Sequence, residues 1–186
     1  MQPFTRQLVH VLATIIALMS QIPAASAQHD DPSTLMIEKA PGKVLMSYTV
    51  EELKRAFPIH ERVTPTPWMS RDQKIEFRGP YLKDLLTKYL PYATSIEILA
   101  YNGFSSILKR EEIDSYKPIL AIERRCDDND RKRGSCTADQ DYRPLQLEDG
   151  GPMFLVWPLD ELPPSYIPAR NAIWVWFVVA VRANDE

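Results

Sequence analysis

The chain has 186 residues, and its 22 Lys and Arg stand against 25 Asp and Glu, a formal net charge of −3 at pH 7. That slightly acidic balance leaves no basic footprint for nucleic acid or an anionic membrane surface, so neither is expected as a partner. The length suits one domain with its own core rather than two.

In chain order, residues 1–27 read as a signal peptide. Arg6 is the one charged residue before the apolar run Leu8 to Met19, which is shorter than the ~20 residues a membrane-spanning helix needs. Pro23 breaks it, and Ala25-Ser26-Ala27 offers the small side chains a signal peptidase accepts, so cleavage is expected after Ala27. Gln28 then becomes the mature N-terminus, and the expected location is the periplasm or the extracellular space. The mature chain contains no expected membrane span. Residues 28–42 are polar and are expected to be a flexible N-terminal segment, with a single globular domain over 43–186.

Within that domain, Lys43 to Tyr48 reads as a strand, and Thr49-Val50-Glu51-Glu52 carries the pattern of a capping box, opening a helix that ends by Phe57 ahead of Pro58. Ile59 to Thr64 and Lys74 to Phe77 have extended character. Pro80 suits the first position of a helix whose inward stripe is Leu82, Leu85, Leu86 and Tyr89. Thr94 to Tyr101 and Phe104 to Leu108 flank Asn102-Gly103, a hairpin signal. A helical turn over Lys109 to Tyr116 follows, then apolar strands at Pro118 to Ile122, Met153 to Trp157 and Ala172 to Val181. Trp157, Trp174 and Trp176 are expected in the core. Because strands come in runs rather than alternating with helices, the fold class is α+β, a mixed β-sheet with short helices.

Cys126 and Cys136 are the only cysteines. In an oxidising compartment they are expected to bond to each other. The charged segment between them reads as a solvated excursion pinned at its base, with Arg131, Lys132 and Arg133 open to an acidic partner as the functional alternative.

The order of these pieces carries a resemblance. Tyr48-Thr-Val-Glu-Glu-Leu53, Phe77-Arg-Gly-Pro-Tyr-Leu82 leading into Asp84-Leu-Leu86, Ala100-Tyr-Asn-Gly-Phe104, Ile119-Leu-Ala121, Gly150-Gly-Pro-Met-Phe-Leu-Val-Trp-Pro158 and Trp174-Val-Trp176 together resemble the molybdopterin-binding domain of the sulfite oxidase family. The resemblance spans roughly Met46 to Val181. It implies a molybdenum held by a pterin dithiolene and one protein cysteine, on the loop before the Phe-X-Gly motif. Here that loop runs His60 to Phe77, with Thr64 or Thr66 near the expected position and no thiolate in it. A hydroxyl is a much poorer ligand than a thiolate for a soft, sulfur-rich metal centre.

No catalytic residue and no metal ligand are therefore assigned, and no cofactor is expected, with molybdopterin as the alternative. Arg71, Lys74, Arg78 and Arg170 are the candidates for an anionic cofactor tail, each otherwise a surface charge. Trp68, Arg71, Tyr101 and Asn102 are candidates to line a remnant cleft, with Thr64, Thr66 and Arg78 beside it. His60 and His29 form no triad or zinc spacing. The expectation is an exported sulfite oxidase-like domain that has lost molybdenum catalysis and binds a small molecule or a periplasmic or membrane protein partner. The alternatives are a molybdopterin-dependent oxidoreductase and an accessory domain of a membrane sensor, which would use the Pro163 to Pro168 loop as its contact.

Overall fold

The computed structural model describes residues 29–166 and 170–185; the expected signal peptide, its cleavage site and Gln28 lie outside the described residues. The first strand, β1 (Thr34–Ala40), falls in the segment expected to be flexible. Leu35 and Ile37 are fully buried there, and Glu38 is buried too because Arg182 donates to its carboxylate at 2.6 Å and His29 lies at 3.1 Å. The charged partners make a strand of a stretch whose composition reads as tail.

β2 (Lys43–Thr49) pairs antiparallel with β1, with Gly42 at φ +70° in the connection. Thr49 then caps α1 (Val50–Ala56): its hydroxyl accepts from the Glu52 amide while Glu52 accepts from the Thr49 amide, the capping box read from the sequence. β3 (His60–Thr64) and β4 (Ile75–Gly79) form an antiparallel pair. Beyond them comes α2 (Leu82–Tyr89), with Leu82, Leu85 and Leu86 fully buried. Pro80 and Tyr81 are not in that helix, because Pro80 accepts from Leu120 and Tyr81 bridges Ile119, which holds both extended beside β7 (Ile119–Ala121). Gly79 has its own reason there: a Cβ would stand 1.9 Å from the Leu120 carbonyl oxygen.

β5 (Ser95–Ala100) and β6 (Ser105–Lys109) make the expected hairpin, with Gly103 at φ +84° and the Asn102 side chain accepting from the Phe104 amide at the tip. α3 (Arg110–Tyr116) follows. Three further elements lie where the sequence reads as loop: β8 (Glu123–Arg125), α4 (Asp128–Arg133) and β9 (Tyr142–Pro144). β10 (Phe154–Val156) pairs with β7, and β11 (Val178–Ala183) is the last strand. The expected strand over Ala172 to Val181 is thus half correct. Residues Asn171–Ile173 form a 3-10 turn, and Phe177 sits at φ +56°, which breaks the extended run before Val178.

The strands form a five-stranded mixed sheet, β2-β1-β11-β5-β6, a four-stranded antiparallel sheet, β3-β4-β8-β9, and the β10-β7 pair. Only β1 and β11 run parallel. The class is α+β with mixed sheets, and one apolar core runs from Leu35 on β1 to Val181 on β11, with Trp157 the largest fully buried side chain among the described residues. Among the described residues no helix is long and apolar enough to cross a membrane.

The Cys126–Cys136 disulfide is formed, with its Cα atoms 6.2 Å apart. Most of the segment it closes is exposed, as expected of a solvated excursion pinned at its base, but it is helical and one of its residues is buried. Asp127 and Asp130 cap α4 reciprocally, and Asp130 is completely buried against two arginines. Arg131 donates to the Cys126 and Gln140 carbonyls, and Arg133 lies 3.4 Å from Asp130, so two of the three basic residues are turned toward their own loop.

Candidate functional site

The loop between β3 and β4 is shaped by its prolines. Met69 donates to the Thr66 carbonyl at 3.1 Å, closing a turn with Pro67 and Trp68 at its centre, where proline pre-sets the first turn dihedral. The turn lifts Trp68 over β10. Its ring stacks at 30° on Phe154 and meets Trp176 edge-on, with centroids 5.0 Å apart.

Trp176 owes its position to Gly150. The segment 175–178 is tied to 150–155 through Phe177 to Gly150, Leu155 to Val175 and Val178 to Met153. Gly150 is at φ +84°, and a Cβ on it would come within 2.8 Å of the Trp176 indole. A side chain there would be strained twice over, by the dihedral and by the ring.

These rings line a cavity of about 120 Å³. Thr66, Trp68, Met69, Phe77, Phe154 and Trp176 give its apolar wall, and Arg124, Glu148 and Asp149 its charged one. Trp68 remains 49 % exposed and Trp176 38 %, while the Thr66 hydroxyl is buried with no hydrogen-bond partner. A more open hollow of about 300 Å³ between β2 and α1, lined by Met46, Tyr48, Glu52 and Arg55, contains none of the candidate site residues.

The charged wall continues into a buried network. Arg124 donates to both Asp130 carboxylate oxygens, at 2.9 and 2.7 Å, and reaches Asp127 at 3.3 Å. Arg143 bonds Asp149 at 2.5 Å through Nη1. The Nε atoms of Arg124 and Arg143 lie 2.9 Å from Asp149 and Asp130 but point off the axis, so these are charge contacts rather than hydrogen bonds. Burial pushes the Asp130 carboxyl up, yet the Arg143 contact, the Asp127 amide and the two guanidinium charges outweigh it and hold the group down at about 2.

That depressed carboxyl carries a pH signature. A group whose pKa falls on folding stabilises the native state above its unfolded value, and the contribution is lost as pH drops through the folded value. For Asp130 it amounts to about 2 kcal/mol, present above pH ~4 and gone by pH ~2. Acid titration of unfolding free energy in Asp130→Asn should show the proton uptake between these limits reduced by close to one relative to the unsubstituted chain.

Of the residues singled out in the sequence, Thr66 and Trp68 line the cavity. Thr64 does not: it is 1 % exposed, donates to the Pro65 carbonyl and accepts from the Leu159 amide at 2.9 Å, which pins the loop to the segment after Pro158. Arg71 and Lys74 pair with Asp160 at 3.7 and 2.8 Å. Arg78 lies over the Tyr142 ring at 4.2 Å and 3.9 Å from Glu61, and Arg170 is bound by Glu112. Tyr101 and Asn102 are exposed at the β5-β6 tip. Trp157 and Trp174 are core residues as expected, whereas Trp176 faces the cavity. His60 stacks on Tyr81 at 3.8 Å and His29 serves Glu38. Of the Pro163 to Pro168 loop, Ile167 and Pro168 lie outside the described residues.

Sequence reasoning missed Arg124, Glu148 and Asp149, since their common feature is the network and not a motif. The only local signal was the pair Gly150-Gly151 after a run of charge.

Compared with known proteins, the chain matches no family model and no curated sequence.

Proposed function

We propose that the chain is an exported binding domain that takes a small ligand in the cavity lined by Trp68 and Trp176, on a scaffold resembling the sulfite oxidase molybdopterin domain but without molybdenum catalysis. One observation carries the reading: Thr66, whose buried hydroxyl has no hydrogen-bond partner, lines a cavity together with two half-exposed indoles. An unsatisfied buried polar group costs about 1–3 kcal/mol, so it persists where something outside the fold uses it. Large exposed aromatics around such a group are the anatomy of a ligand site rather than of a core.

The donor set argues against the metal cofactor that the resemblance implies. The Thr64 hydroxyl is already engaged twice, both cysteines are spent on each other, and each arginine proposed for the cofactor tail has a carboxylate of its own. The cavity is also well under the ~300 Å³ at which cofactor-sized pockets begin.

Two measurements test this. Protein purified from a host that makes the pterin cofactor should contain neither molybdenum nor fluorescent pterin oxidation products; stoichiometric molybdenum overturns the reading. In a thermal-shift screen of small solutes, a ligand present at about 100 times its Kd stabilises by about 2.7 kcal/mol. Thr66→Val should match or exceed the parent in unliganded stability while losing part of that ligand-dependent gain. A variant that loses stability and keeps the gain would make Thr66 a structural residue only.

A further inference from the structure

We propose that this cavity takes a small apolar primary amine, bound as its protonated N–H cation, an inference that rests on the binding site assigned above and adds its ligand class. The lining divides by chemistry. Tryptophan, phenylalanine, methionine and isoleucine side chains make its apolar part, and Thr66, Arg124, Glu148 and Asp149 its polar part. The volume of about 120 Å³ falls short of the ~150 Å³ apolar cavity that accepts benzene, which limits the ligand body to about five heavy atoms.

Charge then sets the sign of the ligand. The Arg124 guanidinium contacts Asp127, Asp130 and Asp149, while Arg143 pairs with Asp130 and Asp149 and Arg133 with Asp130. Three arginines thus stand against three aspartates, and the charges of that cluster cancel. Glu148 is left over: it is exposed, lines the cavity and makes no ion pair or hydrogen bond among the described residues. An anion would meet this carboxylate and find Arg124 already engaged, whereas a cation gains a partner.

The acceptors select an N–H cation. A protonated primary amine brings three donors, and the lining offers the Glu148 and Asp149 carboxylates together with the Thr66 hydroxyl oxygen, buried and without a partner in the fold. Its bond to a carboxylate is charge-assisted, and so stronger than that of a neutral donor. An alcohol has a donor without the charge and a tetraalkylammonium has the charge without a donor, so each leaves part of this lining unused.

The test follows the indole N–H resonances of the nitrogen-15-labelled mature full chain as three solutes of similar size are added: isobutylamine, 2-methylpropan-1-ol with the same carbon skeleton, and tetramethylammonium. Isobutylamine should shift Trp68 and Trp176 saturably and leave Trp157 in place, since its Nε1 is bonded to the Ile173 carbonyl inside the core. The other two should each bind at least about fivefold more weakly, the difference between a charge-assisted and a neutral hydrogen bond. Glu148→Gln should bring the amine down to the affinity of the alcohol, and Trp68→Ala, checked for unchanged thermal unfolding, should abolish the Trp176 shift. Equal affinity for amine and alcohol overturns cation selection, and tetramethylammonium binding as tightly as the amine overturns the N–H requirement; both results leave the binding site standing. No shift with any of the three overturns the amine assignment, and if the solute screen also yields no Trp68-dependent ligand, the binding site falls with it.

Discussion

Asp130→Ala should lower the unfolding free energy by about 3–5 kcal/mol, as much as truncating a large core aromatic. Asp130 is wholly buried and is contacted by Arg124 and Arg143, whose side chains are 9 % and 1 % exposed. Removing the carboxylate leaves two guanidinium groups facing one another with Asp149 as their shared partner. Repulsion and uncompensated desolvation then act together, and breaking one side of a buried pair costs far more than the pair itself contributes. Urea unfolding followed by circular dichroism measures the loss as a shift in midpoint at constant slope. A loss below ~1 kcal/mol would place the cluster in the class of hydrated surface ion pairs. Replacing Asp130, Asp149, Arg124 and Arg143 together by apolar residues should cost less than Asp130→Ala alone.

The second large effect concerns the covalent tie around that aspartate. Cys126 and Cys136 are 10 residues apart, and opening their loop by double serine substitution should cost about 3 kcal/mol by the chain-entropy relation. Reduction of the parent protein by dithiothreitol should give the same shift. The two effects should not be additive. α4 is a six-residue helix that presents Asp130 to the arginines, and without the crosslink the loop is less fixed even when the carboxylate is present. The triple variant should therefore lose less than the sum of its parts, and strict additivity would separate the disulfide from the network.

What the sequence disclosed was local. The Thr49 and Glu52 capping box, the Leu82, Leu85 and Leu86 stripe and the Asn102-Gly103 turn each obey a rule that runs over a few residues, and each is present. What it concealed depends on remote partners. β1 looked like tail because Glu38 and Lys39 interrupt its apolar residues, and it takes Arg182, 144 positions away, with His29 to make Glu38 tolerable inside. β8 and β9 were assigned no element because Arg124 and Arg143 are charged, and their burial needs Asp130 and Asp149. The site divides in the same way. Thr66 is marked only by the metal-ligand position that the resemblance implies, and Trp68 as a candidate lining of the remnant cleft in the same loop. Trp176 was read into a strand, since nothing in its alternating apolar neighbours announces the positive φ of Phe177.

The strand order of the largest sheet has a kinetic consequence. β11, at Val178–Ala183, is inserted between β1 at Thr34–Ala40 and β5 at Ser95–Ala100, so the two early strands have no neighbour in common until the chain has been delivered past residue 183. Closing a loop of that size precedes any reward from its contacts, which places this domain among slow, high-contact-order folders. Until then the hairpin β5-β6 and the pair β1-β2 can form separately, each with one unsatisfied edge waiting for the same strand.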